Sequence, residues 1–219
     1  MTDTSTSLNT SPLLTAIEAR ILGCLIEKET TTPEQYPLTL NAIHLACNQK
    51  SNREPIMDLS LGEIGHCIRK LDERKLVRSQ HGTRAERFEH LMHKIFGLTP
   101  QQQAVLCVMM LRGPQTLNEL ITRTERLANF TNAEDMKHVL ERLSQREPAL
   151  VERIPRASGQ REDRYVHLLS GPFDHSQLPV AKISSTTIPQ PHALEERIEQ
   201  LEQRMAELEA QLQLLQQVN

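Results

Sequence analysis

Thr39-Leu40-Asn41-Ala42-Ile43 returns later in the chain as Thr116-Leu117-Asn118-Glu119-Leu120, and Arg87-Phe88-Glu89-His90-Leu91 returns as Arg164-Tyr165-Val166-His167-Leu168. The intervals 39 to 116 and 87 to 164 are both 77 positions. A repeat of that length is a small domain used twice rather than a solenoid unit. Each copy reads helix, helix, helix, strand, basic turn, strand, which is the order of a winged helix-turn-helix. The expected fold class is therefore mainly α with small β-wings: two tandem winged helix-turn-helix domains plus a C-terminal coiled-coil helix.

Working outward, the first copy opens at Thr15, an N-cap with Glu18 three residues on, and Ile17, Ile21, Cys24 and Leu25 follow at helical spacing. Thr31-Thr32-Pro33 ends that helix, and a second is expected from about Leu38 to Asn48. Ser60 with Glu63 caps the third, whose buried face reads Leu61, Ile64, Ile68 and Leu71. Val77 to Gln80, the turn at His81-Gly82-Thr83, and Arg84 to Leu91 form a two-stranded wing. In the second copy Thr99-Pro100 with Gln102 starts a helix, and Ala104 to Leu111 is apolar nearly all round, so this helix belongs at the centre. Gly113-Pro114 stops it, Thr116 with Glu119 caps the next, and Thr131 with Glu134 the third. The third helix buries Ala133, Met136, Val139, Leu140 and Leu143, and the second wing runs Leu150 to Ile154 and Arg164 to Leu169 around Ser158-Gly159.

The expected organisation is a disordered N-terminus at 1–12, winged-helix domains at 13–97 and 98–170, a Pro- and Ser/Thr-rich linker at 171–191, and a coiled coil at 192–217. Each repeat is large enough to bury its own core. The Ser/Thr-rich start lacks the basic and apolar segments of a signal peptide. Ala104 to Leu111, the longest strongly apolar run, is far short of the roughly 20 residues of a membrane span. Cys24, Cys47, Cys67 and Cys107 form no C-x-x-C pair and lie on apolar helical faces, which suits a cytoplasmic chain with reduced, packed thiols.

Glu18-Ala19-Arg20, Leu22-Gly23-Cys24-Leu25, Thr31-Thr32-Pro33-Glu34-Gln35-Tyr36-Pro37-Leu38 and Ala46-Cys47-Asn48-Gln49-Lys50-Ser51-Asn52-Arg53-Glu54-Pro55 closely resemble the bacterial YceH family. The resemblance covers roughly residues 13–171. It implies a tandem winged-helix fold and supplies no activity.

No G-x-S-x-G, P-loop or H-E-x-x-H occurs, so no enzyme activity and no cofactor is expected. His90-x-x-His93 and His44-x-x-Cys47 have helical metal spacing, but two ligands do not make a site, and no metal is expected. The net charge of −3 is uneven: residues 15–97 hold 12 basic against 11 acidic side chains, residues 98–170 hold 10 against 9, and the ends are acidic. Near-neutral modules of this kind bind DNA only through one basic face.

The third helix of a winged helix enters the major groove. In the first copy its outward face is Gly62, Glu63, His66, Arg69, Lys70, Glu73 and Arg74; in the second it is Glu134, Asp135, His138, Glu141, Arg142 and Gln145, which is acidic. Arg78, Arg84 and Arg87 decorate the first wing, and Arg153, Arg156, Arg161 and Arg164 the second. They either grip phosphates or pair with Glu86, Glu89, Glu162 or Asp163. Asn48 to Pro55 is the most distinctive stretch. Lys50, Asn52 and Arg53 suit phosphate or base contacts, and the alternative is an ordered loop whose side chains satisfy backbone groups. The expected function is a dimeric, non-enzymatic DNA-binding protein, such as a transcriptional regulator, reading mainly with the first copy. The alternative is a protein-interaction adaptor in which the winged helices and the coil bind protein partners.

Leu194, Ile198, Leu201, Met205, Leu208, Leu212 and Leu215 recur at 4, 3, 4, 3, 4, 3 spacing, with Glu195, Glu202 and Glu209 at e and Arg197 and Arg204 at g. A parallel pair joins Arg197 to Glu202 and Arg204 to Glu209, whereas an antiparallel pair sets like charges together. Sedimentation at micromolar concentration should give a dimer for the full chain and a monomer for a chain ending at Pro191. Identical monomeric masses would exclude the coil as a dimeriser.

Overall fold

Two orphan amides at the start of the first helix are satisfied reciprocally: Thr15 Oγ1 accepts from the Glu18 amide, and Glu18 Oε2 accepts from the Thr15 amide at 2.8 Å. In the computed structural model, which describes residues 13–81, 85–156 and 160–173, this box opens α1 (Ala16–Thr31). A short 3-10 turn leads to β1 (Leu38–Thr39), and Thr39 caps α2 (Leu40–Cys47). A second capping box at Ser60 opens α3 (Leu61–Glu73), followed by β2 (Val77–His81) and β3 (Glu86–His90). A short α4 (Met92–Phe96) then joins the copies.

The second copy repeats the order. Its elements are α5 (Pro100–Arg112), β4 (Gln115–Thr116), α6 (Leu117–Thr124), α7 (Ala133–Ser144), β5 (Val151–Ile154) and β6 (Arg164–His167). Boxes at Thr99 and Thr116 start α5 and α6, and Gly113, with φ of 72°, ends α5. About half of the described residues are helical, with two small antiparallel sheets of order β1-β3-β2 and β4-β6-β5. Each sheet has a third strand beyond the expected two. The two-residue strands β1 and β4 are too short to show alternation, and pairing with β3 and β6 alone defines them.

The repeated motifs meet in these pairings. Thr39 lies opposite Arg87 and Thr116 opposite Arg164. Arg87 Nη1 donates to the Pro37 carbonyl at 2.7 Å, and Arg164 Nη1 donates to the Pro114 carbonyl at 3.0 Å. Pro37 and Pro114 are themselves 77 positions apart. The repeat therefore encodes one strand pairing, one pin and one helix cap, each made twice.

Three local expectations are corrected. Leu61 is in phase with the buried stripe of α3 but 42% exposed, because it is the first helical residue at the end of the packed face; Cys67 joins Ile64, Ile68 and Leu71 instead. The cap of α7 is Asn132, whose Oδ1 accepts from Asp135, rather than Thr131, since an asparagine oxygen caps as well as a threonine one. Ala133 is accordingly exposed at the helix start.

The copies share one core. α1 packs against α5, and residues of both belong to a single buried cluster within one compact unit. The apolar stretch from Ala104 to Leu111 is buried throughout, as the all-round pattern requires, and so is α1 from Glu18 to Ile26. The four cysteines are free and buried. Backbone bonds cross between the copies, from the Leu14 amide to the Leu169 carbonyl and from the Glu54 amide to the Leu111 carbonyl, both at 2.8 Å. Residues 1–12, 82–84, 157–159 and 174–219, the heptad among them, lie outside the described residues. That includes Arg84, Leu194, Ile198, Leu201, Met205, Leu208, Leu212 and Leu215.

At Gly23, α1 lies close against α5. A Cβ there would stand 2.9 Å from Leu111 Cγ and 3.3 Å from Met110 Cβ, and the Cys107 thiol donates to the Gly23 carbonyl at 3.3 Å. Helix propensity favours alanine by about 1 kcal/mol, but these neighbours lie close to the α5 backbone and cannot swing away. Gly23→Ala should therefore destabilise the fold by about 1–3 kcal/mol. Gly62→Ala, whose Cβ would meet only Ser60 Oγ at 3.9 Å, should be neutral or stabilising by up to about 1 kcal/mol. Urea denaturation of both variants measures the contrast, and equal midpoints would show that α1 and α5 are less tightly apposed.

Candidate nucleic-acid interface

Burial of Ile64, Cys67, Ile68 and Leu71 turns the opposite face of α3 outward. All seven residues expected on that face, from Gly62 to Arg74, are exposed. Their availability differs. Glu63 accepts from the Ser60 amide and hydroxyl, and these bonds hold its carboxyl below the usual range and keep it at the helix start. Arg74 pairs with Glu18 at 2.7 Å and donates to the Leu13 carbonyl. It thus locks the end of α3 to the start of α1. His66, Arg69 and Lys70 have no ion-pair partner among the described residues. These three form the available basic face.

The sheet arginines are engaged within the fold. Arg78 pairs with Glu89, its cross-strand neighbour, and Arg87 pins β3 to the loop before β1. In the second copy Arg153 pairs with Asp163, whose other oxygen accepts from the Arg156 amide at 2.9 Å. Arg164 bonds Pro114 and Glu119. The expected pairing with a neighbouring acid holds for Arg78 and Arg153, whereas Arg87 and Arg164 bond the loop before the first strand of each sheet, and Arg164 also Glu119. On α7, Glu134 pairs with Lys137, while Glu141 and Arg142 face solvent.

The stretch from Asn48 to Pro55 is built largely as structure. Asn48 mimics a strand neighbour, its amide donating to the Leu59 carbonyl and its oxygen accepting from the Leu59 amide, both at 2.8 Å. Arg53 is withdrawn from any groove: its side chain is fully buried, donating to the Ala46 carbonyl at 3.0 Å and pairing with both oxygens of Glu27. Burial opposes its charge, but the Glu27 pair outweighs that and holds its pKa above the ordinary value. Asn52 takes a left-handed conformation, φ 62°, and its side-chain oxygen accepts from Arg112 of the second copy. Of the three residues expected to touch nucleic acid here, Lys50 alone is exposed and unpaired among the described residues.

A second buried arginine escaped sequence reasoning. Arg20 is 1% exposed and donates to the carbonyls of Cys47 at 3.3 Å and Pro55 at 2.7 Å. The available signal was its phase: Arg20, Cys24 and Glu27 lie on one stripe of α1. Around the expected histidine pair, His90 Nε2 contacts Glu29 at 2.8 Å and its ring meets His93 edge-on. The hydrogen bond to His90 holds the Glu29 carboxyl below the usual range, against burial, which acts to raise it.

Removing Arg53 leaves Glu27 half-buried without its partner, so Arg53→Ala should cost about 3–5 kcal/mol of stability. Lys50→Ala should change it by less than about 0.5 kcal/mol. Chemical denaturation distinguishes the two, and a near-neutral Arg53→Ala would show that the buried pair does not hold the loop.

A protein-family model described as "Protein of unknown function, DUF480" matches residues 14–160. The "UPF0502 protein" of Stenotrophomonas maltophilia strain R551-3 is 50% identical over 215 residues, covering 97% of this chain and 98% of that one. The UPF0502 protein mll4256 of Mesorhizobium japonicum is 49% identical over 205 residues, covering 93% and 97%. UPF0502 protein XCC4136 of Xanthomonas campestris is 50% identical over 210 residues, covering 94% of each. With the family model spanning most of the chain and relatives matching nearly end to end, the chain belongs to the UPF0502 family, the one that its YceH-like motifs indicated.

Proposed function

We propose that this chain is a non-enzymatic DNA-binding protein of two tandem winged helix-turn-helix domains, acting as a dimeric transcriptional regulator in the cytoplasm. The element order and the sheet order β1-β3-β2 and β4-β6-β5 support the winged-helix reading: a helix pair carries the reader, and the last two strands form the wing. The observation that carries the DNA reading is the unpaired basic face of His66, Arg69 and Lys70 on α3. Histidine and arginine offer donors to base edges, and lysine to phosphate. The equivalent face of α7 is acidic, so the first copy reads and the second positions it. Pairing through the heptad would present two reading helices to a two-fold operator.

A second reading is a protein-interaction adaptor. It is favoured by apolar side chains left in solvent, Leu45 at 69% and Ile56 at 64% exposed, which a protein partner would cover.

Duplex binding measured against salt concentration separates the two. The unmodified chain should bind at low salt. The Arg69→Ala/Lys70→Ala variant should bind more weakly, with a log–log slope reduced by about 0.9 for each DNA phosphate that is no longer neutralised. Arg142→Ala should have less effect. A pull-down with nuclease treatment adds the other arm. Absence of duplex binding by the unmodified chain would sink the DNA reading, and a nuclease-resistant protein partner would then favour the adaptor.

A further inference from the structure

The loop that follows the second helix of each copy converges on one cleft. Gln49, Lys50 and Ser51 come from the loop after α2, and Arg126 from the loop after α6. Gln49 and Arg126 are 77 positions apart, equivalent places in the two copies. α1 supplies Lys28 and Thr31, and the cleft encloses about 470 Å³, within the roughly 300–1,000 Å³ range of small-molecule sites. Arg112 and Arg123 line an adjoining recess whose apolar wall is Val108, Leu111 and Leu127.

The charge here is one-sided. Lys50 and Arg126 have no ion-pair partner among the described residues. The one acid lining the cleft, Glu27, already has both oxygens bonded to buried Arg53, at 3.2 and 2.5 Å, with Lys28 at 3.9 Å. Arg112 bonds Asn52, an uncharged partner, and Arg123 bonds Gln115 and stands 3.6 Å from Glu119. Burial, and then the neighbouring Arg123 and Arg53, lower the pKa of Arg112. Crowded like charges of this kind favour a bound anion. Around them stand a serine, a threonine and a glutamine that can hydrogen-bond oxygen atoms.

We infer that this cleft binds a small phosphorylated ligand carrying at least two negative charges, held between Lys50 of the first copy and Arg126 of the second. A diphosphate matches the chemistry: spaced cations bind its charges, and hydroxyl and amide groups take its remaining oxygens. Because both copies contribute, such a ligand ties them together and stabilises the folded chain. The site stands apart from the α3 face and does not rest on the DNA reading.

The test is titration of the full-length chain with inorganic pyrophosphate, by calorimetry and thermal unfolding, against sodium chloride of equal ionic strength. Saturable binding with a dissociation constant below about 1 mM, and a rise in melting temperature beyond the salt control, are expected. Lys50→Ala/Arg126→Ala, both exposed positions, should weaken binding at least about tenfold while leaving the unliganded melting temperature unchanged. Arg69→Ala/Lys70→Ala should leave pyrophosphate binding intact. No saturable binding, or equal affinity in the Lys50/Arg126 variant, overturns the inference. So does a Lys50/Arg126 variant that loses affinity for a short DNA duplex when pyrophosphate itself does not bind, since the cations would then serve a nucleic-acid backbone.

Discussion

The close approach of α1 to α5 at Gly23 is the contact on which the rest of the molecule depends. A glycine facing Met110 and Leu111 lets the two helices come nearer than any larger side chain would permit. Each helix is then covered by its own copy on one side and by the other copy on the other, so both are buried through their middle turns, Glu18 to Ile26 of α1 and Ala104 to Leu111 of α5. Neither repeat keeps its full core without its neighbour. The crossing bonds at Leu14, Glu54 and Arg146 follow from that apposition, with Arg146 reaching the Phe96 carbonyl.

The internal repeat records structure more than recognition. The arginine shared by the two strand motifs makes the same backbone pin in each copy, to Pro37 and to Pro114. The shared threonines cap α2 and α6 and lie opposite those arginines. These positions repeat because each copy needs the same strand closure beside the same helix start. The outward faces of α3 and α7, free of that requirement, have diverged in charge. Exposed faces are free to diverge on a shared frame because no packing or backbone bond constrains them.

Charged residues divide by depth rather than by type. Arg20 and Arg53 are both buried among carbonyls and hold the loop from Cys47 to Pro55 against α1. An arginine can fill that role because its five donors satisfy several buried acceptors at once. The loop in turn carries Asn52 to Arg112 and the Glu54 amide to Leu111. A stretch rich in polar side chains thus serves first as the brace between the copies, and Lys50 and Ser51 remain at its rim.

The order of the three helices in each copy, their caps at Thr15, Ser60, Thr99 and Thr116, the stop at Gly113 and the outward face of α3 were legible in the sequence, and the short α4 was not. These features depend on local hydrogen-bond geometry and on helical periodicity, which neighbouring residues suffice to specify. The strands β1 and β4 were not legible, since two residues become a strand only when a distant partner, as Arg87 is for Thr39, lies beside them. Nor was the fate of the charged side chains. Arg53, Arg74 and Lys50 read alike as candidate nucleic-acid contacts, yet one is buried on Glu27, one locks α3 to α1 through Glu18, and one is exposed beside Arg126. Whether a long basic side chain meets solvent or a distant carboxylate depends on which helices pack together, and that was decided by the tertiary fold.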